Sequence, residues 1–86
     1  MRRRGRTDSN HAEIRDALRA RGWKVRSLAS VGDGMSDLLV HRPGTACVRL
    51  IEVKAPGGEL TDDQKAFIAE GWPVTIIQSV EDTEWL

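Results

Sequence analysis

Asp37, Glu52 and Lys54, set on either side of a Pro43-Gly44 turn, constrain this chain more than any other residues. Ile51-Glu52-Val53-Lys54 alternates apolar and charged positions. At the two-residue period of a strand, Glu52 and Lys54 leave on one face, Ile51 and Val53 on the other. Residues 36–41 are also strand-like, and Pro43-Gly44-Thr45-Ala46 is a turn between them. If those four residues form the loop, Arg42 pairs with Cys47, and counting back sets Asp37 directly opposite Glu52. Opposed like charges, with Cβ atoms about 5 Å apart, destabilise a sheet. A fold that places two carboxylates there keeps one protonated or holds a cation between them. Hard divalent ions such as Mg²⁺ take oxygen ligands of this kind.

The flanking segments supply the rest of a mixed sheet. Asn10 with Glu13 three residues on resembles a capping box. Ile14, Ala17 and Leu18 follow helical spacing, and Gly22 ends the helix. Residues 23–28 alternate and predict a first strand. Thr61 with Gln64 is a second capping box, opening a short helix with Phe67 and Ile68 on one face. Residues 73–78 predict a final strand whose nearly continuous apolar run suits cover on both sides. Residues 79–86 either start a short helix or fray. The order is αβββαβ, an α/β fold in which helices flank a mixed sheet.

Length and composition limit the alternatives. Eighty-six residues make one small domain with a thin core, of the size that often relies on a staple or a second chain. A single cysteine, Cys47, excludes an internal disulfide and a Cys-rich zinc site, and reads as a small buried apolar residue. No apolar stretch approaches the roughly 20 residues of a membrane span. No apolar segment of a signal peptide follows the basic start, so the chain reads as soluble, intracellular and cytoplasmic. Its formal net charge of zero hides an asymmetry, because residues 1–26 hold nine Arg/Lys against three acids. Residues 1–9 read as a basic flexible arm and residues 10–86 as the folded domain. Arg2, Arg3, Arg4, Arg6, Arg15, Arg19, Lys24 and Arg26 are candidates for phosphate contacts, giving salt-dependent binding with little sequence information.

Three blocks carry a family resemblance: Gly34-Met35-Ser36-Asp37-Leu38-Leu39-Val40, Leu50-Ile51-Glu52-Val53-Lys54-Ala55 and Leu60-Thr61-Asp62-Asp63-Gln64. With the αβββαβ order they resemble the PD-(D/E)XK nucleases, whose core is restriction-endonuclease-like. More narrowly they look like the stand-alone virus-type replication-repair (VRR-NUC) nuclease domain, over about residues 10–82. One departure is Ser36, where many relatives have Pro.

The resemblance implies a divalent-metal-dependent DNA endonuclease. Asp37 and Glu52 are the metal ligands it points to, with the backbone carbonyl of Val53 as a further one, for Mg²⁺ or Mn²⁺ in its place. Lys54 would orient or deprotonate the attacking water, or hold the scissile phosphate; its alternative is a surface lysine paired with Glu52 or Glu59. Glu13 matches the first-helix acid of the family and also completes the capping box with Asn10. Gln64 carries the same double reading with Thr61. Similarity to four-way (Holliday) junction resolvases implies a homodimer acting on branched or double-stranded DNA, in recombination, repair or phage DNA processing. The competing reading is a nuclease-fold module that binds nucleic acid without cutting it. A third is a small α/β interaction protein whose acids are coincidental.

Overall fold

The computed structural model describes residues 10–86. The basic arm, with Arg2, Arg3, Arg4 and Arg6, lies outside the described residues. Helix α1 (His11–Ala20) is followed by strands β1 (Lys24–Ser27), β2 (Leu38–His41) and β3 (Val48–Val53). Helix α2 (Asp62–Ala69), strand β4 (Val74–Ile77) and a 3₁₀ turn (Val80–Trp85) complete the chain. The sheet order is β1-β2-β3-β4; β1 and β3 each pair with β2 antiparallel, and β4 joins β3 in parallel. No helix among the described residues is long and apolar enough to cross a membrane.

The α1 face of the sheet holds the core. Val25 pairs with Val40, Leu38 with Ile51 and Val53 with Ile77, so all six side chains share one face. Ile14 and Leu18, one helical turn apart on α1, close over them, and Trp23 joins the same cluster. Gly22 at φ +96° lets α1 stop abruptly. Trp23 N–H then donates to Leu18 O and Gly22 N–H to Arg19 O, the paired bonds of a Schellman turn. Trp23 is thereby turned into the core at 3% exposure. Cys47, read from the sequence as buried, packs against this cluster but is only half-buried.

Two expectations are corrected. Asn10 does not cap α1 with its side chain. Its amide Nδ2 instead donates to Lys54 O at 3.2 Å and Gln78 O at 3.0 Å, tying the helix start to the ends of β3 and β4. Two carbonyls beyond the last ladder bonds outcompete a local cap. The final strand is an outer strand, and its Ile76 is 42% exposed. Its apolar run is closed on the α1 side and only partly covered on the α2 side, where Val74 is half-buried.

On the opposite face α2 is held from its N-terminal end. Thr61 Oγ1 accepts from Gln64 N–H, and Gln64 Oε1 accepts from Thr61 N–H, the reciprocal cap the sequence predicts. Gly34, at φ +77°, lies against the Asp63 backbone so closely that a Cβ would collide with its carbonyl oxygen. Gly32, at φ +73°, faces open space. Gly34→Ala is therefore expected to cost both backbone strain and a displaced α2, more than about 1 kcal/mol, or a Tm lowered by about 5 °C or more. Gly32→Ala bears the strain alone and falls less; thermal unfolding followed by circular dichroism compares the two.

Candidate active site

The hairpin loop closes as the sequence predicts, with Arg42 N–H donating to Cys47 O. The Leu38–Ile51 register extends by one step to set Asp37 opposite Glu52. Asp37 lies just before β2, and its Oδ2 accepts the Val53 N–H at 2.8 Å. A carboxylate thus takes the ladder bond that the next residue of β2 would have made. In an antiparallel strand the N–H and C=O of a residue leave on the same edge. The Val53 carbonyl therefore points to the Asp37 side.

Glu52 sits on the face opposite the core and is only 3% exposed. Its Oε2 accepts from Gln64 Nε2 at 2.8 Å and lies 3.5 Å from Lys54 Nζ. Gln64 performs both tasks the sequence left open, since its Oε1 completes the cap while its Nε2 grips Glu52. Lys54 pairs with Glu52 rather than standing on the open surface, its side chain 16% exposed. Burial, then the Asp37 charge and a hydrogen bond between the two carboxyl groups, push Glu52 up to about 7; Lys54 pulls the other way. The pair is poised between sharing a proton and receiving a cation.

A buried carboxylate, Glu52, and a half-buried one, Asp37, that repel one another, with a carbonyl beside them, are a hard oxygen donor set suited to Mg²⁺ or Mn²⁺. Glu13 does not join them: it is exposed on α1, and no group of three or more His, Cys, Asp or Glu side chains gathers among the described residues. Its capping role is absent too, because Asn10 is turned elsewhere. Arg19, Lys24 and Arg26 line a cavity at the outer edge of β1. Arg15 pairs with Asp16 at 3.4 Å outside it.

The VRR-NUC domain family model matches residues 5–72, from before α1 to just before β4. The chain belongs to the VRR-NUC family. No curated protein and no solved structure matches it. Membership makes this a nuclease domain with DNA as its partner, carried on a four-stranded mixed sheet flanked by helices. In this VRR-NUC domain, Asn10 and Ser36 are site neighbours that the sequence marks only as a helix cap and as a departure from the family's Pro. Asn10 holds the Lys54 carbonyl, and Ser36 is 1% exposed with an Oγ that has no partner among the described residues. Asn10 was hidden by its local cap pattern. A polar residue directly before an apolar strand was the available signal for Ser36.

The raised Glu52 pKa has a stability consequence in the metal-free protein. The unfolded chain releases this proton near 4.5, the folded chain near 7. Between those values the native state holds a proton the unfolded state has lost, so stability falls as pH rises through the window. The expected loss is at most about 3 kcal/mol and is absent in Glu52→Gln. Urea unfolding in EDTA on either side of the window, parent against variant, reads the difference.

Proposed function

We propose that the domain is a Mg²⁺- or Mn²⁺-dependent, structure-selective DNA endonuclease that hydrolyses phosphodiester bonds. The observation that carries this reading is the buried Glu52 carboxylate, opposed to Asp37 and held by Gln64 and Lys54. Asp37, Glu52 and the Val53 carbonyl would hold the ion. When bound, the metal supplies charge neutralisation and a more acidic water.

The chain's own groups do the remaining work. Gln64 fixes the Glu52 carboxylate in one orientation, and its amide N–H satisfies one lone pair in a site where an unmade bond is costly. The Lys54 ammonium, paired with Glu52, has further N–H groups that would hold a phosphate oxygen or an attacking water. The Val53 N–H pins Asp37 so that its other oxygen is free to face Glu52 or a ligand. Exposed Glu13 would act on the site only through water.

A four-way junction or other branched duplex is the proposed substrate, cut by a homodimer that sets one site on each of two strands. The outer strand β4 and the 84%-exposed Trp85 are the proposed dimer surface. The 57%-exposed Val48 and 42%-exposed Ile76 leave apolar area on the α2 face that a second copy would cover. Action inside a cell, in recombination, repair or phage DNA processing, fits this chemistry.

End-labelled four-way junction, flap, duplex and single-stranded DNA, each incubated with Mg²⁺, Mn²⁺ or EDTA, test the reading. Cutting is expected with metal, with the junction preferred. Glu52→Ala and Lys54→Ala are each expected to lose about 100-fold or more. Binding of the junction without cutting in any metal would leave a nuclease fold that only binds, and light scattering on the parent decides the dimer.

A further inference from the structure

At the outer edge of β1, against α1, lies a cavity of about 460 Å³ lined by Arg19, Trp23, Lys24, Val25 and Arg26. Three of its five residues are cationic and none is acidic. Among the described residues none of the three cations has an ion-pair partner, whereas Arg15, Arg21 and Lys54 each have one. Arg19 is steered to the cavity by a long contact of 3.5 Å from Nη2 to the Val25 carbonyl on the open edge of β1. The indole of Trp23 is clamped from one side by Arg42, 4.3 Å from the ring centroid. The buried Trp23 Nε1–H has no acceptor among the described residues. Arg19 reaches the open edge of β1 from α1, while Lys24 and Arg26 flank Val25 on the strand itself, so three exposed cations without an acidic partner border one edge that an anion can approach.

Register relates the cavity to the carboxylates. Arg26 pairs with Leu39 and Leu39 with Leu50, so Arg26 shares a face with Leu50 and therefore with Glu52. Lys24 follows two residues along on that same face. Two strand spacings across and two residues along set the Arg26 backbone about 12 Å from that of Glu52, and Lys24 at about 17 Å. The two cations thus trace a line leading away from the carboxylate pair, spaced by about 7 Å along the strand, a step that successive phosphates of one nucleic-acid strand can follow.

We propose that Arg19, Lys24 and Arg26 form a second phosphate site, separate from Asp37 and Glu52, that seats backbone phosphodiesters of the DNA whose scissile bond lies at the carboxylates. The site anchors one arm of the substrate and contributes affinity without touching the reacting bond. Its position relative to the cut rests on the nuclease reading; its affinity for DNA does not.

The test is fluorescence anisotropy of a labelled duplex and a labelled four-way junction in EDTA, titrated with the parent, Lys24→Gln/Arg26→Gln and Arg49→Gln/Lys65→Gln. The last also removes two exposed cations, away from the cavity. Salt is varied from about 50 to about 200 mM, and Glu52→Ala cleavage in Mg²⁺ is run in parallel. The cavity variant is expected to bind about tenfold more weakly, with a log–log salt slope shallower by between about one and about two. The control is expected to keep the parental slope. Equal slopes for parent and cavity variant, or an equal loss in the control, overturn the site even if Glu52-dependent cutting is seen. A slope lost only in the cavity variant, with no cutting by the parent, keeps the site and removes the nuclease reading.

Discussion

A carboxylate kept almost wholly from water is the constraint around which this small domain is arranged. Glu52 is 3% exposed, and an isolated charge in that position would be intolerable. The fold answers with Gln64 and Lys54 on one oxygen and Asp37 alongside. Each answer recruits an element. Gln64 requires α2 to start at Thr61, Asp37 requires the loop before β2 to end where it does, and Lys54 requires β3 to run one residue past its last pair. The segment containing Gly34 has no side chain to spare because it must let α2 approach.

The two faces of the sheet divide the labour. The α1 face is closed by aliphatic side chains from every strand, and it supplies the stability. The α2 face is thinner, keeps Val48 and Ile76 exposed, and carries the charged groups. Asn10 joins the two by reaching from the start of α1 to the carbonyls of Lys54 and Gln78. Movement of α1 therefore bears directly on the backbone that presents Lys54.

Much of this was legible in the sequence, and the exceptions share a cause. The hairpin register followed because strand parity and a four-residue loop leave one solution for Asp37 and Glu52. The Thr61–Gln64 cap followed because both partners lie within one turn. The Asn10–Glu13 pattern looked equally local, but Asn10 had carbonyl partners 44 and 68 residues away, which no short window contains. The apolar run of β4 matches a central strand as well as an outer one fully covered on one face only, since hydrophobicity alone does not give sheet order. Glu13 matches a family position in sequence, and the structure places it exposed on α1.

Helix α2 contains no buried residue. Segments with few buried apolar contacts open locally at a cost well below that of global unfolding. Because Gln64 is both the cap of this helix and the clamp on Glu52, each such opening releases the carboxylate while the α1 side of the sheet stays intact. The orientation of the Glu52 carboxylate is thus tied to the ordering of the helix that buries least, rather than to the aliphatic core on the other face.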